Sequence, residues 1–168
     1  MTRRTGRRVG VIATLTLLVA TAFAVGATPL GASTKNPCKL LSKAEIQTAF
    51  GGTVANPKLG LKTPVSQQCE YKVSANGDRP DGTVIVHVMF KGGKAAYTGL
   101  KRQATLYVPV EGVANSLYAE KLHVVNILKG DVFFGVQGNF VSTTPLPIHF
   151  YDAKTQLTSL AQIGVKRV

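Results

Sequence analysis

Histidine, cysteine and acidic side chains are all scarce in this sequence, and each scarcity narrows the chemistry open to it. Three histidines (His87, His123, His149) and two cysteines (Cys38, Cys69) stand far apart along 168 residues. A structural metal site needs more such ligands at close spacing, and a dithiol redox centre is usually built as C-x-x-C. No H-x-x-x-H, H-E-x-x-H or G-x-S-x-G run occurs, so the common zinc-hydrolase and nucleophile-elbow patterns are missing. Only eight Asp and Glu oppose twenty Lys and Arg. Three of those acids have structural duties in prospect, Glu45 and Asp152 in helix caps and Asp131 in a turn, which leaves few for paired acid–base work. Gly92-Gly93-Lys94 lacks the G-x-x-x-x-G-K-[ST] spacing that wraps a nucleotide phosphate. No catalytic residue, metal or cofactor is therefore expected.

The N-terminus has the pattern of an export signal. Arg3, Arg4, Arg7 and Arg8 precede a stretch from Val9 to Ala27 that is apolar apart from three threonines and two glycines, a basic n-region followed by a hydrophobic one. Val25-Gly26-Ala27 offers small residues for cleavage and Leu30-Gly31-Ala32 a poorer second site. An uncleaved N-terminal anchor is the alternative, and no cysteine lies near either site to accept a lipid. The expected organisation is a signal peptide over 1–27, a flexible tether over 28–36 rich in small and polar residues, and one secreted domain over 37–168. Removing the leader leaves sixteen basic residues against eight acids, about +8. Two cysteines in an exported domain of this size read first as a disulfide, Cys38 to Cys69.

Local signals predict an α+β fold. Ser42-Lys43-Ala44-Glu45 fits a capping box opening a helix to Phe50, stopped by Gly51-Gly52. Residues 56–68, with Pro57, Gly60 and Pro64, are expected to be surface loop. Cys69–Ser74 and Thr83–Phe90 read as a strand pair around the turn formers Asn76–Gly82. Val84, Val86, Val88 and Phe90 then share one face, with Ile85, His87 and Met89 on the other. A helix is expected over Lys94–Gln103 with Ala96 and Leu100 inward, and strands over Thr105–Val110, Leu122–Leu128 and Val132–Gly138, the last two joined by Lys129-Gly130-Asp131. Phe140–His149 reads as extended loop. Asp152 caps a final helix whose stripe is Leu157, Leu160, Ala161 and Gly164. Runs of neighbouring strands with separate helices argue for an antiparallel sheet packed by two to three helices.

Asn36-Pro37-Cys38-Lys39-Leu40-Leu41-Ser42 continuing to Glu45 and Phe50-Gly51, together with Cys69-Glu70-Tyr71, resembles an actinobacterial family of secreted proteins and lipoproteins of unknown function. Its members open on a D/N-P-C-x-L-L-[ST]-x-x-E run and carry the second cysteine in C-x-[WY]. Val110–Tyr118 is similar to the family's V-x-G-[VL]-G-D-x-A-Y turn, with Ala114, Asn115 and Leu117 departing from it. The resemblance implies a disulfide and a sheet-and-helix sandwich, the PsbP-like kind among the candidates, and no established chemistry.

Positive charge is the feature with functional reach. Lys91, Lys94, Lys101 and Arg102 form the densest cluster, and a helix there would put Lys94 and Lys101 two turns apart on one face; the plain alternative is a solvated helix surface. The leading expectation is a non-catalytic binding module of the cell envelope. Its partner would be an anionic envelope polymer, a lipid surface or an acidic protein, and not nucleic acid. A carrier of a small apolar ligand lined by Phe90, Phe133 and Phe134 is the first alternative, and a small secreted hydrolase the second. His87 and His123 would share a site if their strands brought them onto one face; partly buried, satisfied histidines are the plainer reading. Lys129-Gly130-Asp131 as an adhesion motif is outweighed by an ordinary turn.

Overall fold

Ser42 opens the first helix by satisfying two backbone donors at once. The Ser42 N–H donates to the Glu45 carboxylate at 2.7 Å while the Glu45 N–H donates to Ser42 Oγ at 3.2 Å, the reciprocal pairing of a capping box. Helix α1 runs Lys43–Phe50 and ends where Gly51 takes φ 73°. The computed structural model describes residues 36–74, 81–141 and 152–168. The expected leader, most of the tether, the greater part of the Asn76–Gly82 turn cluster and the stretch carrying Pro145, Pro147 and His149 lie outside the described residues.

After α1 the chain forms β1 (Thr53–Val54), β2 (Lys58–Lys62), β3 (Ser66–Ser74), β4 (Asp81–Met89), α2 (Gly93–Lys101), β5 (Val108–Pro109), β6 (Ser116–Ala119), β7 (Val124–Lys129), β8 (Val132–Val141) and α3 (Ala153–Lys166). Among the described residues, eight strands make one sheet in the order β1-β3-β4-β8-β7-β6-β5, with β2 also on β3. Every pairing is antiparallel. The fold is therefore α+β, an antiparallel sheet with three helices and one disulfide.

Period-two alternation decides which side of the sheet is core. Val84, Val86 and Val88 are fully buried while Ile85, His87 and Met89 between them are half-buried, so both faces are covered to different degrees, as the β4 pattern suggests. On the inner face these valines meet Ile46 and Phe50 of α1 and Leu157, Leu160 and Ala161 of α3 in one core. A Cβ at Gly164 would overlap the Phe134 ring; the missing side chain lets α3 approach the sheet closely. Asp152 caps α3 through the Thr155 N–H at 3.1 Å. On the other face α2 packs against β7 and β8, with Ala96 and Leu100 half-buried.

The structure corrects four local readings. Residues 56–68 are not all loop: β2 and the start of β3 lie there, with Pro57 and Pro64 just outside the strand ends and Gly60 on an outer strand paired on one side only, where it is tolerated. Strand structure over Thr105–Val110 shrinks to Val108–Pro109 at the sheet edge, where a proline fits. The strand expected from Leu122 begins at Val124, because residues 120–122 form a 3₁₀ turn and His123 is left-handed at φ 44°. Strand β6 was not expected; all four of its residues are buried, so it has no alternation to read. In the turn before β6, Asn115 stands at φ 53°, a conformation that Asn accepts more readily than most residues.

The opening segment is clamped to the sheet from β3. Cys69 and Tyr71 are two residues apart, so both side chains leave the inner face. Cys69 is bonded to Cys38, with Cα atoms 5.2 Å apart. The Tyr71 hydroxyl donates to Leu41 O at 2.7 Å, with Cys38 O also in reach at 3.1 Å. Burial, followed by the nearby Glu45 charge, pushes the Tyr71 phenol up to about 12. Arg167, just past α3, closes the other side: its guanidinium donates to Leu40 O at 2.9 Å and to both Glu45 oxygens at 2.9 and 2.6 Å.

Replacing both cysteines by serine frees a span of 31 residues, and urea unfolding should record a loss of about 3–4 kcal/mol; an unchanged midpoint would contradict the clamp. The Arg167 hydrogen bond, foremost among several contacts, lowers Glu45 from 4.5 to about 2. A carboxyl depressed in the folded state stabilises fully above its unfolded value and loses that contribution as pH falls toward its folded value. Melting temperature should therefore drop between about pH 4.5 and 2, and Arg167→Ala should start lower at neutral pH and fall less over that window. Parallel curves for the two proteins would contradict the assignment.

Candidate functional site

Three connections of the fold and the end of its last helix meet at one end of the sheet. The register aligns Ser66 with Met89, Met89 with Phe133 and Phe133 with Leu128, so the β2–β3 turn, the β4–α2 link and the β7–β8 turn all emerge there. The α3 C-terminus joins them, because Lys129 Nζ donates to Val165 O at 3.1 Å and Val168 O at 3.0 Å. That places a cation at the negative end of the helix. Lys62, Lys91, Lys94 and Lys166 are exposed around this end. Its acid, Asp131, is already engaged: its carboxylate accepts the Gly92 N–H at 3.1 Å and the Lys94 N–H at 3.0 Å. Those two bonds hold its pKa below the usual carboxylate value. The Lys129-Gly130-Asp131 turn thus fills the N-terminus of α2 with the chain's own carboxylate, and the Gly92-Gly93-Lys94 segment is spoken for.

The expected cluster is distributed along this geometry. Lys91 and Lys94 stand at the sheet end, while Lys101 and Arg102 are exposed at the far end of α2, about 10 Å along the helix axis. Lys94 and Lys101 do lie on one helix face. Lys62 and Lys166, which join the first pair, are remote in sequence and could not have been found by local density.

A cleft bounded by described residues lies elsewhere, near the β5–β6 edge and the start of α3. It encloses about 670 Å³ between Thr105, Leu106, Tyr118, Lys121, His123 and Lys154, with Glu120 and Asp152 on its wall. Its charges are mixed, Lys154 lies 5.9 Å over the Tyr118 ring, and Asp152 is bound to its own helix through Thr155. None of the four expected basic residues lines it.

His87 and His123 do not share a site. His87 faces Gly135 across the β4–β8 pair, whereas the His123 carbonyl accepts the Gly138 N–H at the opposite end of β7. The offset is three residues, about 10 Å along the strand. The imidazole of His87 lies over Gly135, where any Cβ would collide with it, and beside Phe133 with ring centroids 5.6 Å apart. In its own row across the sheet the neighbours are Gln68, Gly135 and Asn126, with no acid or hydroxyl among them. Burial pushes His87 down to about 4, partly offset by the Asn126 carboxamide, far from the value near operating pH that suits a general base. Among the described residues no group of three or more His, Cys, Asp or Glu could hold a metal ion.

The aromatic residues expected to line an apolar ligand site are split between the two faces. Phe134 packs against α3 at Gly164, while Phe133, one residue earlier, is on the other face with His87. They do not wall one cavity with Phe90.

No family model, curated protein or solved structure matches the chain. The disulfide is consistent with an oxidising, extracytoplasmic environment. No helix among the described residues is long and apolar enough to cross a membrane.

A histidine kept neutral in the fold with a lowered pKa makes the unfolded chain the stronger proton binder between the two values. Its contribution is complete above about 6.5 and falls as pH drops toward 4. Urea unfolding at pH 7.5 and pH 5 should differ by on the order of 2 kcal/mol, and His87→Gln should remove most of that difference. A full difference in the variant would show that His87 is not its source.

Proposed function

We propose that this protein is a non-catalytic extracytoplasmic module that binds a polyanionic component of the cell envelope at the lysine-bearing end of its sheet. The observation that supports it most is the unequal use of charge. Glu45, Asp131 and Asp152 are bound to Arg167, the α2 N-terminus and the α3 N-terminus, whereas Lys62, Lys91, Lys94 and Lys166 are each exposed around the same end of the sheet. These three carboxylates are thus held by the fold's own donors, and at the lysine-bearing end Asp131 faces the α2 N-terminus, so the lysines dominate the outward potential there.

The magnitude expected is modest. Each exposed lysine near an anionic surface contributes about 1 kcal/mol, so four give about 4 kcal/mol, a millimolar contact for one molecule. Useful retention then depends on a ligand with repeated negative groups, which converts single weak contacts into avidity. An export signal over 1–27 and release by cleavage would deliver the domain to such a polymer.

Retention on immobilised polyphosphate should fall steeply between about 50 and 500 mM salt, because screening shortens from roughly 14 to 4 Å. Lys91→Ala/Lys94→Ala/Lys166→Ala, by the same measure of about 1 kcal/mol per lysine, should lose on the order of a hundredfold in retention at the lower salt. Salt-insensitive retention, or a triple variant that binds like the parent, would contradict the reading. Binding to anionic vesicles with none to the polymer would replace the polymer by a lipid surface.

A further inference from the structure

Strand β2, whose last residue Lys62 reaches the lysine-bearing end, carries a feature that charge alone does not explain. Among the described residues β2 pairs only with β3, so its second edge presents backbone donors and acceptors outward. All five of its residues are exposed. Leu59 is 46% and Leu61 61% accessible, and Val65 just beyond is 43% accessible. Those are three of the five large hydrophobic residues exposed in the described part of the chain, gathered within seven positions. Scattered exposed leucines need no explanation, but a concentration on an open strand edge does.

We infer that β2 receives an extended, acidic segment of a partner protein as an added strand. Strand addition draws affinity from main-chain hydrogen bonds and selectivity from alternate side chains. Leu59 and Leu61 offer the apolar contacts, and Lys58 and Lys62 bracket them. Charge decides the occupant. A second copy of this chain pairing antiparallel about Gly60 would set Lys58 against the other copy's Lys62, and like charges directly opposite are destabilising. Lys58 already faces Glu70 of β3 on its paired side, and an acidic segment on the open side sets opposite charge against both Lys58 and Lys62. The chain's own N-terminal 44 residues contain no acid, so the same argument favours another protein.

Edge strands are also defended against aggregation by lysines, short length and irregular register, and β2 has all three, including a register shift between Leu59 and Lys62. Such a defence removes apolar side chains from the edge, whereas here they stay exposed. Short length and local twist oppose unlimited stacking and still admit one short segment. The β2 edge shares Lys62 with the lysine-bearing end of the sheet, but the peptide readout maps to residues 58–62 while the polymer test removes Lys91, Lys94 and Lys166.

The probe is a blocked synthetic octapeptide alternating valine and glutamate, titrated into the intact protein with amide chemical shifts and hydrogen exchange as readouts. Shifts and added protection should map to residues 58–62, with binding at least tenfold tighter than that of the valine–lysine counterpart. Alternate N-methylation of the probe should cost at least tenfold. Lys58→Glu/Lys62→Glu, which alters only exposed side chains, should reverse the preference between the two peptides. The idea is overturned if neither peptide binds, or if protection appears around Lys91 and Lys94 and not on β2. A dimer in sedimentation that Leu61→Lys dissolves would overturn it in favour of a second copy. Loss of polyphosphate retention with the peptide result intact would remove the function proposed above and leave this inference standing.

Discussion

The fold depends on one fastening: the inner face of β3 grips the opening segment through a covalent bond at Cys69 and a buried hydroxyl at Tyr71. Without it, the segment from Pro37 to Leu41 has little regular structure of its own, only a single 3₁₀ turn. With it, Leu40 and Leu41 are carried into the core, and α1 starts at a fixed point on the sheet. The spacing of two residues between cysteine and tyrosine matters physically because a strand returns to the same face only at that period. A shift of either by one position would aim it at the opposite face.

From that anchor the remaining polar groups form a chain of helix-end contacts. Glu45 completes the α1 cap and also receives Arg167 from beyond α3. Lys129 from the β7–β8 turn covers the end of α3, and Asp131 from the same turn covers the start of α2. One tight turn thus serves opposite ends of two helices, with the sign of charge that each dipole favours.

Features encoded locally were legible in the sequence. The Ser42 box, the Asp152 cap, the Lys129-Gly130-Asp131 turn and the alternation through Val84–Val88 each depend on residues within a few positions of one another. Strands β2 and β6 were not legible, for opposite reasons: every β2 residue is exposed and every β6 residue buried, and neither leaves the period-two signature. The basic cluster was half legible. Density along the chain picks out Lys91 and Lys94, but Lys62 and Lys166 reach the same end only through strand register and the docking of α3. Likewise nothing local could say that Asp131 would turn onto α2, or that β8 would separate His87 from β7.

Hydrogen exchange on the oxidised and reduced protein tests the fastening most directly. The account predicts that reduction exposes the amides of Leu40, Leu41 and α1 together with the last turn of α3, while the β3–β4–β8 centre of the sheet stays protected. Unchanged protection in α1 after reduction, or collapse of the sheet centre before the opening segment is released, would contradict it.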